Sequence, residues 1–275
     1  VIDIMLTLVP SSIIVLVLGA CVGSFINVVV YRLPRGLSLL WPSSHCPHCL
    51  NPLKVYHNLP IVGWLWLRGK CADCQGKISY SYPLVELSTG IIFLIVFWVF
   101  QFSLLTIGYW VFCSWLLALS LIDWETMTLP GSLTKSGLVL GLIFQTTLGY
   151  VARNTWSSAI GQLIWGIGGM VLGLWLFDII TSLGFLFYGK PVMGGGDGKL
   201  AAMMGAWLGW QYLLVASFIA CFSGVLIGFG AIIVCDGQME QKMPFGPFLA
   251  WGSVISIFGG EVILDHYLRF VLSHS

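Results

Sequence analysis

Long apolar runs separated by short polar breaks organise this chain. The first covers roughly residues 8–31 and runs into GSFINVVVYRLP with no small-residue cleavage site, so it reads as a retained helix rather than a signal peptide. Residues 32–83 form the one long polar segment. Apolar runs resume at about 84–102, 104–122, 134–152 and 158–188, the last long enough to tilt or to break near its glycines. Beyond the glycines at 194–196, residues 198–235 hold one short and one full crossing, and a final run covers about 247–272. At about 20 apolar residues per crossing, the pattern predicts an all-α polytopic membrane protein of about eight transmembrane helices. The number drops to seven or six if 198–235 is a single tilted or re-entrant element. Val1 in place of Met suggests a trimmed or re-engineered start.

Composition sharpens this picture by exclusion. Hydrophobic residues make up 58% of the chain and charged residues 8%, where a soluble domain carries roughly 25% charged. Mean hydropathy is +0.94. Neither a soluble globular domain nor a disordered chain has this composition. The 12 Lys+Arg and 11 Asp+Glu nearly cancel, which leaves no basic field for nucleic acid. Eight cysteines are too few for a secreted disulfide scaffold of this length.

Lys/Arg placement sets the orientation. Segment 32–83 carries Arg32, Arg35, Lys54, Arg68, Lys70 and Lys77. With that segment in the cytoplasm and eight crossings, Lys135, Lys190, Lys199 and Lys242 also fall at cytoplasmic ends, and only Arg153 and Arg269 fall outside. The N-terminus is then outside.

Within the polar segment, Cys46-Pro-His-Cys49 and Cys71-Ala-Asp-Cys74 are two C-x-x-C pairs. Two such knuckles can bring four thiolates to one tetrahedral Zn²⁺. Disulfides are disfavoured in the cytoplasm, so the alternative is unliganded or redox-active thiols. His45 and His48 are close enough to substitute as ligands, or are solvated loop residues. Four cysteines leave no open position for water, which makes the site structural and gives a loop of this length a fold. Cys21, Cys113, Cys221 and Cys235 lie in apolar runs and read as packing residues.

Every acid within an apolar segment needs a reason. Asp3, Asp73, Asp236, Glu240 and Asp265 sit in loops or near ends. Glu86 reads as a first-turn acid favoured by the helix dipole, Asp178 as a buried hydrogen-bonding residue, and Glu261 has no assignment. Asp123 in LALSLIDWETMTLPGSLT and Asp197 in KPVMGGGDGKLAAMMGAW differ from these. Both fall at cytoplasmic helix ends at one depth, where two carboxylates can share a proton. The ionised one can activate water while the protonated one polarises a carbonyl. The glycines before Asp197 let a substrate backbone approach closely. The plainer alternative is two helix-end acids, one of them a cap. There is no H-E-x-x-H and no His within a clear helix core, His57 being in the loop and His266 near the outer end of the last run.

The segments GSFINVVVYRLPRG, SSHCPHC, CADC, ISYSYPLVELSTG, LIDWETMTLP, GGGDGKLAAMMGAW and MPFGPFLAWG occur in this order almost end to end. In them the chain resembles the type IV prepilin leader peptidases, bifunctional prepilin peptidase/N-methyltransferases of the G-x-G-D aspartic class. The resemblance implies Asp123 and Asp197 as the catalytic pair, an active-site loop containing Gly194 and Gly196, and zinc on Cys46, Cys49, Cys71 and Cys74. It implies a bacterial inner-membrane, multi-pass enzyme with its active site facing the cytoplasm. Its partners would be prepilin and pseudopilin precursors and the lipid bilayer, with no nucleic acid. The leader is cut usually after Gly, and the new amino terminus, usually Phe, is methylated from S-adenosylmethionine. No Gly-rich cofactor motif lies within 32–83, so no donor-binding residue is assigned. Gly131 stands where members commonly carry an acid, and Glu125 where a basic residue is common. The expected division is a first helix at 1–31, a zinc-binding loop with the methyltransferase part at 32–83, and a peptidase domain at 84–275. Two other classes remain open to test: an ion-coupled transporter using Asp123, Asp178 and Asp197, and a non-catalytic scaffold for pilus or secretion assembly.

Overall fold

The computed structural model describes residues 2–189, 193–234 and 243–273. Lys190, Cys235, Asp236, Glu240 and Lys242 lie outside them. The chain divides into two compact units, Val1–Ala118 and Leu119–Ser275, and α4 (Leu104–Thr126) contributes to each.

The first unit holds α1 (Ile2–Arg32), a short α2 (Val62–Trp66) and α3 (Ser81–Phe100). Small residues set the distance between α1 and α3. A Cβ at Gly19 would lie 2.8 Å from Gly90 Cα, and one at Gly23 would lie 2.7 Å from Glu86 Cα. Such close backbone approach is how helices associate in lipid, where burial of apolar surface gives no net drive. Val15, Phe93 and Phe97 form one buried cluster of this unit, with Trp110 stacked on Phe93 at 5.0 Å. Residues between α1 and α3 fold on Arg32, whose guanidinium donates to the carbonyls of Ser38, Pro42 and Ser43.

The second unit adds α5 (Gly131–Arg153), α6 (Trp156–Tyr188), α7 (Gly195–Val234) and α8 (Gly246–Ser273). Among the described residues, six helices are long and apolar enough to cross a membrane, and no strand forms. The chain is a multi-pass membrane protein. α5 is not one of the six, because Thr134, Lys135, Gln145, Thr146 and Thr147 dilute its apolar run.

α7 is two helices joined directly at Gly209, which breaks the helix at φ 75°, ψ 174°. Before the break, Gly198, Ala201 and Gly205 meet Phe177, Gly173 and Gly169 of α6, so the two run antiparallel. After it, Tyr212, Ala216 and Gly224 meet Gly260, Gly252 and Phe248 of α8, again antiparallel. α6 and α8 themselves run oppositely, since Phe177 lies beside Phe245 while Trp165 lies beside Trp210, near Tyr212. The arms of α7 therefore point in opposite directions, and Gly209 is the corner of a helical hairpin. At 1.5 Å per residue, arm 195–208 spans about 21 Å and arm 210–234 about 37 Å. This is the short-plus-full pair expected from sequence, and with α5 it gives eight membrane-directed segments among the described residues.

α6 does not break at its glycines. Gly169 and Gly173 instead receive the α7 backbone: a Cβ at Gly169 would overlap the Gly205 carbonyl, and one at Gly173 would lie 2.7 Å from Ala201 C. Tertiary contact, not flexibility, explains those residues.

Candidate active site and candidate metal centre

Asp123 ends the regular part of α4. Its carbonyl accepts from Met127 N, and Met127 at φ 53° turns the chain out of the helix toward Leu129 and Pro130. The residue is only 6% exposed. Its Oδ2 accepts the Gly246 N–H at 2.9 Å, at the first residue of α8. The positive end of that helix therefore faces the acid. Pro247 follows, with no N–H to leave unpaired. A Cβ at 246 would stand 2.7 Å from Asp123 Oδ2, so only glycine fits this contact without displacing the carboxyl.

Asp197 stands in the first turn of α7 and is 7% exposed. Its N–H donates to Gly194 O at 3.1 Å while its Oδ2 accepts from Gly194 N at 3.1 Å, which ties the turn into a closed loop. Gly196 receives Leu129: a Cβ there would lie 3.0 Å from Leu129 Cβ. The segment after Asp123 and the glycine turn before Asp197 are thus in contact. The two carboxyl groups lie within electrostatic reach of each other. Each acid is buried and accepts one backbone N–H on its Oδ2, Asp123 from Gly246 and Asp197 from Gly194.

Asp178 corrects an expectation. It was expected to be buried, but it is exposed on α6 beside Trp175, with its Oδ1 side toward Gly198. Glu86 departs in the opposite sense. α3 begins at Ser81, so Glu86 lies beyond the first turn, and it is buried. Of the cysteines expected to pack, Cys113 is buried but Cys21 and Cys221 are exposed.

The thiols of Cys46, Cys49, Cys71 and Cys74 lie within 4.8 Å of one another. Two matching knuckles put them there. Leu50 N donates to Cys46 O, Leu50 takes φ 60°, and Cys46 N returns to Asn51 O. In the second knuckle, Gln75 N donates to Cys71 O, Gln75 takes φ 58°, and Cys71 N returns to Gly76 O. The Cys46–Cys74 and Cys49–Cys71 sulfur distances are 3.8 and 3.9 Å. A tetrahedral ion with ~2.3 Å metal–sulfur bonds requires edges of about 3.8 Å, so the cluster could hold one metal ion. Burial opposes ionisation of Cys46, but the N–H groups of Cys49 and His48 and the neighbouring thiols outweigh it and bring Cys46 down to about 6. The Asn51 N–H favours the Cys49 thiolate, yet desolvation and the three other sulfurs push Cys49 up to about 12. The Cys46 thiolate forms readily, whereas Cys49 and Cys74 are pushed up and need a cation among them to ionise.

Residues 17–100 match the family model described as Bacterial Peptidase A24 N-terminal domain, and residues 110–229 match that of the Type IV leader peptidase family. A prepilin leader peptidase/N-methyltransferase of Stutzerimonas stutzeri is 36% identical over 93% of this chain and 93% of its own length. The protein of that name from Neisseria gonorrhoeae is 39% identical over 85% of each chain, and that from Legionella pneumophila 33% over 90% of this chain and 91% of its own. No solved structure matches. The glycine turn, the two aspartates and the paired knuckles all fall within the matched regions, and the chain belongs to the type IV leader peptidase family.

Proposed function

We propose that this protein is a membrane aspartic endopeptidase that removes the leader from type IV prepilins and pseudopilins, with Asp123 and Asp197 as the dyad. The observation that carries the reading is the convergence of the two acids. One ends α4 against the start of α8, the other opens α7 in a glycine turn, and Leu129 packs on Gly196 between them. One aspartate, ionised, takes a proton from water. The other, protonated, donates to the scissile carbonyl oxygen as the tetrahedral carbon forms. The substrate segment has to unwind locally before water reaches that carbonyl. Gly194 and Gly195 leave the backbone open beside Asp197, while Gly196 gives room to Leu129.

The names of the relatives support a second activity, methylation of the new amino terminus from S-adenosylmethionine. We assign it to the 32–83 loop, between a first helix at 1–31 and the peptidase part at 84–275. Cys46, Cys49, Cys71 and Cys74 would hold one structural Zn²⁺, which neutralises the thiolates and fixes both knuckles. Lys/Arg placement supports an orientation with the loop and the dyad facing the cytoplasm, and family membership supports a bacterial inner-membrane location. The test is incubation of the purified protein with a prepilin, read by intact mass. Leader loss reports the peptidase, and the mass of one added methyl reports the transferase.

A further inference from the structure

The first unit contains a cavity of about 820 Å³ bounded by α1, the cysteine-bearing loop and α3. Its size is that of a small-molecule site. Glu86 lines it and is itself only 8% exposed. Its Oε2 accepts the Ile61 N–H at 2.7 Å, and the Ser24 side chain hydrogen-bonds it from α1. Ile61 stands at φ 61°, ψ −52°, a conformation that a β-branched residue takes only under constraint. The acid thus fixes a strained turn at the cavity edge, and the pair persists without any ion partner for Glu86 among the described residues. A buried carboxylate held this way has unspent capacity for a cation. Lys77, without an ion-pair partner among the described residues, lines the same cavity, and so do Phe25, Trp64 and Tyr82.

We infer that this cavity binds the methyl donor, with Glu86 facing the sulfonium, Lys77 facing the donor carboxylate, and the aromatic rings receiving the adenine. The inference rests on the proposed N-methylation and names its site. S-Adenosylmethionine carries these three chemistries in one molecule: a fixed positive charge, an amino-acid carboxylate and a flat heteroaromatic ring. A cation near a buried carboxylate favours its ionised form, and aromatic faces suit both ring stacking and cations. In the transfer, the lone pair of the peptide amine forms the new N–C bond as the C–S bond breaks. Sulfur keeps that electron pair and becomes a neutral thioether, and a proton passes from the new ammonium to water. Charge therefore leaves the Glu86 side of the site on reaction, which aids release of the thioether product.

The test is equilibrium binding of S-adenosylmethionine and of S-adenosylhomocysteine to the full-length protein without prepilin. The wild type should prefer the sulfonium by at least about tenfold, the scale of one partly buried charge pair. Glu86→Gln should lose that preference while holding the thioether within about threefold of wild type, because its amide oxygen can still accept from Ile61. Leader cleavage, which uses neither Glu86 nor the cavity, should be unchanged and so reports folding. As a measurement independent of any variant, an 8-azido derivative of the donor should photolabel peptides from 24–32, 57–67 or 77–86 of the wild type. Labelling elsewhere, or an unchanged sulfonium preference in Glu86→Gln, overturns the inference while leaving methylation standing if the mature peptide is methylated. A wild type that binds neither molecule and adds no methyl group overturns both. A lipid as the cavity's resident would appear as labelling outside these segments, with lipid retained in native mass spectra.

Discussion

Gly209→Ala perturbs the corner on which the α7 hairpin depends. The residue sits at φ 75°, ψ 174°, a region open essentially to glycine, which costs any other residue ~1–3 kcal/mol. The added methyl would also lie 2.5 Å from Trp165 Cδ1 and overlap the indole nitrogen, and overpacking of this kind costs a further ~1–3 kcal/mol. The two terms give ~2–6 kcal/mol, a large share of a typical domain stability of ~5–15 kcal/mol. The corner has little room to relax. Gln145 Nε2 donates to Trp207 O at 2.6 Å, occupying a carbonyl beside the break, and Trp207 Nε1 donates to Gly137 O at 2.8 Å. Denaturant or thermal unfolding in detergent should show the loss, with prepilin cleavage falling in parallel because Asp197 opens the same arm. Gly168→Ala is the control, since nothing lies within 4 Å of a Cβ there, and it should be neutral or stabilising by up to about 1 kcal/mol. Adding Trp165→Ala to Gly209→Ala should remove the steric share and leave the backbone share, as a double-mutant cycle would read. If Gly209→Ala is as stable as Gly168→Ala, the hairpin corner is misassigned.

Gly205→Val should be more severe than Gly209→Ala, because its side chain meets the Gly169 backbone rather than a movable side chain. Failure to recover folded protein, or a loss above ~3 kcal/mol, is expected, and wild-type stability would refute the close α6–α7 contact. Metal analysis should find about one zinc per chain, lost on Cys46→Ser and on chelation, with 32–83 becoming protease-sensitive. Metal-free protein with an intact loop in reductant would contradict the metal assignment. Impermeant maleimide applied to spheroplasts should label Asn154→Cys above the wild-type background and leave Ser132→Cys at background. The reverse pattern would invert the topology.

Much of this was legible in sequence for simple physical reasons. A membrane span needs about 20 apolar residues, so α1, α3, α4, α6 and α8 announce themselves. Paired C-x-x-C knuckles have few other uses, and Asp123 and Asp197 stand out because acids are rare in such segments. The Gly209 corner was not legible, because one glycine in LGWQ looks like its neighbours until Trp165 and Gln145 from other helices pack around it. Nor was the Gly246 partner of Asp123, which lies 123 residues away. Glu86 looked like a helix-dipole acid because its use depends on Ile61, 25 residues earlier, folding back over α3. The long α6 run looked breakable since glycine reads locally as flexibility, whereas here it makes room for α7.

The central claim is that Asp123 and Asp197 act together on one peptide bond. Its most direct test is the single-turnover rate of prepilin cleavage by Asp123→Asn and Asp197→Asn, each purified, folded and compared with Asp178→Asn. Asn keeps the shape and can still accept from Gly246 or Gly194, but it cannot exchange a proton. Each dyad variant should lose at least about a hundredfold, the lower end of what general acid–base catalysis supplies, while Asp178→Asn keeps most of its rate. Near wild-type cleavage by either dyad variant would contradict the account.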